Sequence, residues 1–188
     1  AVSSTVSGLV TRRAPRGLVR DGLRLFTRLS ATFALVSDTA MAVLGGTLKR
    51  REKISGRLAD ALAWMYLGSA AMKRYHDEGE PARDRSFAEW SIRHAAYEAE
   101  RAIAGLLDNF PNRPVAWLLG VLVFPFGARL RPPSDRLGSQ VARTILENQG
   151  ARAALTEGIF VPYTNEPGLG RLEAALESAV EALAVETK

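Results

Sequence analysis

Two histidines, His76 and His94, are the first side chains to test for chemistry. Neither has a second ligand at helical spacing, such as H-x-x-x-H, so no metal site is expected. The chain contains no cysteine, which excludes disulfide frameworks, thiolate metal sites and cysteine nucleophiles and fits a reducing compartment. There is no G-x-S-x-G elbow to support a Ser-His-Asp arrangement, no G-x-G-x-x-G, and no phosphate-binding loop. Read from chemistry alone, the sequence assigns no catalytic, cofactor-binding or metal-binding residue.

Cationic spacing is more distinctive. Arg16, Arg20, Arg24 and Arg28 recur every four residues, and on a helix each such step drifts by only about 40°, giving one basic row. Such a row either meets phosphates of lipid, CoA or nucleic acid, or forms a solvated face answering acids elsewhere on the protein, which is the commoner case. A second cluster, "LKRREK" at 48–53, sets Lys49, Arg50, Arg51 and Lys53 around Glu52 beside a double glycine. It reads as a solvated run, or as an anion or inter-domain contact at a helix junction. Net charge is +5, and the first sixty residues hold eleven Lys/Arg against four Asp/Glu. An anionic partner would be drawn there. Nucleic acid is not expected, because few aromatics accompany the arginines and no nucleic-acid-binding motif is present.

The third feature is "RPVAWLLGVLVFPFGARLR" at 113–131. Pro114 and Pro125 enclose ten apolar or glycine residues, about 15 Å of helix and half of a bilayer core. The segment is therefore either a buried core helix or an interfacial wedge. As a wedge, Trp117, Leu118, Leu119, Leu122, Phe124 and Phe126 would enter the headgroup–acyl boundary, with Arg113, Arg129 and Arg131 at the phosphates. No uninterrupted apolar run reaches the ~18–20 residues of a spanning helix, so none is expected to cross a membrane.

The elements that must position these groups are helical. Steps of three and four place Leu18, Gly22, Leu25, Leu29, Phe33, Val36, Ala40 and Val43 on one stripe of a helix over 17–44, stopped by Gly45-Gly46. A second helix over 54–77 is predicted to bury Ile54, Leu58, Ala61, Leu62, Met65 and Met72, and to end at "DEGEP". Trp64, Met65 and Tyr66 at its middle read as core, not as a cofactor box. Ser86 and Glu89 match a capping box for a third helix running to about Asn109. After 113–131, Ser134 or Asp135 caps a helix to about Asn148, a short helix covers 151–157, and "GIFVPYTNEPG" is irregular. A last amphipathic helix carries Leu169, Leu172, Leu176, Val180 and Leu183. The expected class is all-α, an antiparallel bundle with shorter helices and a tail. Its expected parts are a linker or flexible start (1–16), the main bundle (17–112), the apolar segment (113–131), and C-terminal helices packing on the bundle (132–188). The opening, "AVSSTVSGLVTRRAPRG", imitates a transit peptide in composition, but a linker from a larger protein is the preferred reading.

Three stretches carry a family resemblance: "VLGGTLKRREKISGRLADALAWMYLGSAAMKRY" (43–75), "NFPNRPVAWLLGVLVFPFG" (109–127) and "PPSDRLGSQVA" (132–142). They resemble the C-terminal region of the large bacterial acyl-CoA dehydrogenases of the FadE type, from about Leu29 onward. The resemblance implies a helical domain that follows a flavin-containing dehydrogenase core lying outside this chain. The whole enzyme would oxidise a fatty acyl-CoA to the trans-2-enoyl-CoA, the first step of fatty-acid β-oxidation, with FAD bound by that core. Expected partners are the core, a dimer mate, the acyl-CoA substrate of the whole enzyme and a membrane surface. The implied location is the bacterial cytoplasm, peripheral to the inner membrane.

A fainter likeness runs inside the first stretch. "AMAVLGG" (40–46), "RLAD" (57–60) and "YLGS" (66–69) resemble, in order and nearly in spacing, Q-x-x-G-G, R-L-x-R-D and Y-E-G-T of acyl-CoA dehydrogenase cores. Ala42 stands where the resemblance places a glutamine, and Leu67 where it places the proton-abstracting glutamate. Neither replacement supports that chemistry. The domain is thus expected to be a degenerate copy of the dehydrogenase bundle, inactive by itself. Competing readings are a purely structural oligomerisation domain, a cover for the far end of a long acyl chain or the CoA phosphates, and an independent helical partner-binding protein.

Overall fold

The computed structural model describes residues 17–160 and 162–186, with side chains to residue 182. Arg16 and Leu183 lie outside these limits. The chain forms two compact units that meet at Pro133/Ser134. All regular structure among the described residues is helical.

In the first unit, α1 (Leu18–Leu44), α2 (Glu52–Asp77) and α3 (Arg85–Asp108) form an antiparallel three-helix bundle, and α4 (Arg113–Val123) packs on one end. One core cluster joins Val19, Phe26 and Leu29 of α1 to Met65, Met72 and Tyr75 of α2 and Ile92, Ala95 and Ala99 of α3. A second joins Val36, Ala40, Ile54, Ala61, Ile103 and Leu106 to Phe110 and to Ala116 and Leu119 of α4. Gly68, in the middle of α2, has a packing reason. A Cβ there would come within 2.2 Å of the Phe26 ring and 2.9 Å of Ala95 Cβ. The ring lies on bare backbone, and that close approach outweighs the poor helix propensity of glycine.

The α1 stripe is buried at Gly22, Leu29, Val36 and Ala40, as the spacing predicts, but its centre is shifted toward Val19, Phe26 and Thr32. Val43 is 39% exposed, because α1 gives way to a 3-10 turn at Gly45, where φ is +48°. Leu62 is 55% exposed and is also corrected; Gly68 and Tyr75 complete the buried side of α2 instead. The central trio divides likewise, with Met65 buried, Trp64 half-buried and Tyr66 exposed.

The capping box does not form. A 3-10 turn, Ala82–Asp84, runs straight into α3 and makes Asp84 the N-terminal flanking residue without a side-chain cap. Ser86 is thereby placed inside the first turn and buried, and Glu89 pairs with Arg93 at 2.7 Å.

One expectation about length is overturned. The stretch Leu18–Arg50 is long and apolar enough to cross a membrane by length and composition, with mean hydropathy 1.4 over eighteen residues. Counting uninterrupted apolar runs missed it, since Ser30, Thr32, Ser37, Asp38 and Thr39 break the run without cancelling the leucines, valines and alanines around them. The same helix buries Leu29, Val36 and Ala40 in the bundle core.

The second unit holds α5 (Asp135–Glu147), α6 (Gln149–Leu155) and α7 (Leu169–Glu186). Ser134 caps α5 as expected, its Oγ accepting from Leu137 N at 3.3 Å. Asn148 Oδ1 caps α6 by accepting from Ala151 N at 3.0 Å, so this helix starts two residues before the expected 151. Arg152 and Glu173 pair between α6 and α7.

Candidate surface-binding site on α4

The site begins with a turn. Phe110 is buried, anchoring "NFPNRP" to the bundle. Asn112 Oδ1 then accepts from Val115 N at 3.3 Å, and Pro114 sits within the first turn, where its missing N–H costs nothing. The apolar run therefore starts as a helix of eleven residues, roughly 16 Å long.

Only Ala116 and Leu119 of that helix are buried. Trp117 is 71% exposed, Leu122 60% and Phe126 74%, with Leu118 and Val121 about half exposed. At helical spacing Trp117 with Val121, and Leu118 with Leu122, make one outward face, which Phe126 extends past the C-terminus. Leu119 leaves the expected wedge because it faces the core, and Phe124 is half-buried against the same cluster. Val121 joins the set; its i, i+4 relation to Trp117 was the signal in the sequence. Withdrawing these five partly exposed side chains from water would release on the order of 5 kcal/mol before the costs of association.

The flanking arginines are exposed, and two of them are partly occupied. Arg113 Nη1 donates to Asp108 O at 2.7 Å, meeting the negative end of α3. Arg129 Nε donates to Phe126 O at 3.2 Å, and its guanidinium lies 4.6 Å from the Phe126 ring centre. Arg131 is exposed.

The basic row on α1 is real at Arg20, Arg24 and Arg28, all exposed. It is not uniform. Arg20 Nε is 3.8 Å from Asp21, and Arg28 Nη2 donates to the buried Glu100 at 3.5 Å. Lys49, Arg50 and Arg51 are exposed on the 3-10 turn and at the start of α2. Nearby, Met41, Gly45, Gly46, Leu48, Lys49 and Ser55 line a shallow open groove of about 480 Å³. A larger open groove, about 880 Å³, runs along α5 and includes Arg136, Ser139, Gln140 and Arg143. Sequence reasoning passed over these arginines, although their seven-residue spacing places them on one helix face.

His94 stacks on Trp90 at 4.7 Å between ring centres and meets Trp64 edge-on at 5.1 Å. This cluster joins α2 to α3 and accounts for the half-burial of Trp64. His76 pairs instead with Glu80 at 3.0 Å on the surface. Among the described residues no group of three potential ligands is placed to hold a metal ion. Ala42 and Leu67 are both exposed and offer no proton acceptor.

The molecule so described is an all-α domain whose distinctive feature is an apolar outer face bordered by arginines. Over residues 1–188 it matches the family described as acyl-CoA dehydrogenase, C-terminal, bacterial type, and the chain belongs to that family. No solved structure matches it, so the likeness of 40–69 to the dehydrogenase bundle rests on sequence.

Proposed function

We propose that this chain is the non-catalytic C-terminal domain of an FAD-dependent, FadE-type fatty acyl-CoA dehydrogenase. It docks on the dehydrogenase core or a dimer mate, and α4 attaches the enzyme to the cytoplasmic surface of the bacterial inner membrane. The whole enzyme converts acyl-CoA to trans-2-enoyl-CoA, with FAD and substrate held by the core. The observation that carries the membrane reading is the outward face of Trp117, Leu118, Val121, Leu122 and Phe126, with Arg113, Arg129 and Arg131 around it. A short apolar helix edged by cations suits the headgroup–acyl boundary, where arginine meets lipid phosphate and indole sits at headgroup level.

Flotation of the 188-residue chain with phosphatidylcholine vesicles, with and without phosphatidylglycerol, tests this. The chain should float, more strongly with the anionic lipid. Trp117→Glu should abolish flotation with helicity unchanged. Failure of the wild-type chain to float removes the membrane role and leaves the purely structural, oligomerising reading.

A further inference from the structure

We infer that Glu100 is the positioning residue for the α4 surface: its buried carboxylate ties down the irregular segment that returns from Phe126 and so fixes which side of α4 faces outward. The inference deepens the membrane reading and rests on it for its functional meaning.

Glu100 lies on α3 and is only 2% exposed. A carboxylate withdrawn from water persists where hydrogen bonds and opposite charge replace its hydration. Both oxygens are served here. Oε1 accepts from the backbone N–H of Leu130 at 2.7 Å. Oε2 accepts from Arg28 Nη2 at 3.5 Å, and the largely exposed arginine screens the pair from outside. The bond to Leu130 joins residues thirty positions apart.

The neighbouring chain shows why this anchor matters. From Gly127 to Ser134 there is no helix or strand, and Pro125 to Arg129 are exposed. Local bonds, Gly127 N to Phe124 O at 2.9 Å and Arg129 Nε to Phe126 O, shape the turn without attaching it to the bundle. Attachment comes from the Leu130 side chain, packed on the α1–α3 core, and from its amide on Glu100. Meanwhile α4 grips the bundle through Ala116 and Leu119 alone among its buried residues. Val115, Val123 and Phe124 add partly buried contacts along the same edge, and so narrow a seam on so short a helix fixes its rotation less firmly than burial on two sides would. Arg113 and Phe110 hold its entry; at its exit Phe124 packs on the core, and Glu100 holds the segment that follows. The Arg28 member of the basic row thus serves α4 from another helix.

Amide hydrogen exchange on the 188-residue chain, followed residue by residue, tests the inference. In Glu100→Leu, exchange at Leu130 should rise on the order of tenfold or more. Faster exchange should spread to Gly120–Val123, while Ile103 and Leu106 keep their protection. Glu100→Gln retains an acceptor and should restore most of the protection at Leu130. Arg28→Met, which leaves the carboxylate in place, should give the same pattern more weakly and serves if Glu100→Leu does not fold. Unchanged protection at Leu130 and α4 in both variants overturns the inference, as does a loss spread evenly over α3. Flotation reads the consequence separately: Glu100→Leu should bind anionic vesicles several-fold less than wild type. Equal flotation despite a released Leu130 overturns the link to the surface. If wild type itself does not float, the membrane reading fails while the exchange data still decide the positioning role.

Discussion

Helices α3 and α4 are neighbours in sequence and share one core cluster, yet they treat their apolar residues in opposite ways. In α3 ten of twenty-four residues are buried, including a serine and a glutamate. In α4, where nine of eleven residues are apolar or glycine, two are buried. Composition therefore ranks the two helices in the wrong order. Position decides: α3 lies against both α1 and α2 along its length, whereas α4 meets the bundle along one narrow edge. A helix surrounded by partners can afford polar residues if they are bonded, and a helix with one partner leaves its other apolar side chains in water.

The largest effect that would break this comparison comes from matched truncations. Ile103→Ala, at a site 1% exposed, should lower unfolding free energy by about 2–5 kcal/mol. Leu122→Ala, at a site 60% exposed, should change it by about 0.5 kcal/mol or less. Urea denaturation monitored by circular dichroism gives both values, and equal losses would mean that α4 is buried in solution. Next in size, Gly68→Ala should cost about 1–3 kcal/mol, because the new methyl group meets the Phe26 ring. Phe26→Leu in the same chain should recover part of that loss, which would separate crowding from helix propensity.

The smallest effect concerns Tyr75. Burial raises its phenol above the ordinary value of 10.0; Arg85 opposes the rise, and Glu80 and Asp84 add to it. The folded state then holds the proton where the unfolded chain has begun to release it. The stabilisation is full below pH 10 and is lost as pH climbs from there through the raised folded value. Thermal melts of wild type and Tyr75→Phe should run parallel at neutral pH. Above pH 10 the variant should lose less stability, and identical alkaline limbs would refute the assignment.

Much of the fold was legible. The double glycine, "DEGEP", "NFPNRP" and Ser134 mark the helix ends because backbone freedom, missing N–H groups and caps act over a few residues. Three-and-four spacing located Leu29, Val36, Ala40, Ile54, Ala61 and Met72 in the core. It failed for Val43 and Leu62 because periodicity defines a stripe, while the angular width of burial depends on where neighbouring helices sit. The Ser86/Glu89 box failed because a preceding 3-10 turn moved the start of the helix. At the candidate site, the residue types and flanking arginines were visible in advance, but Leu119 and Val121 exchanged places. Glu100 gave no sequence signal, being one acid among several in an Arg/Glu-rich helix.

The sequence by itself determined an all-helical chain, its breaks, the absence of cysteine chemistry, and an apolar segment too short to span a bilayer. These follow from local conformational preference, composition and length. Only the tertiary structure decided that this segment is half-sunk on the bundle, that α1, despite its span-like hydropathy, turns Leu29, Val36 and Ala40 into the bundle core, and that Arg28 and Leu130 meet on one buried carboxylate. Each of those depends on which helix lies beside which, and such contacts between distant residues leave no periodic mark in the chain.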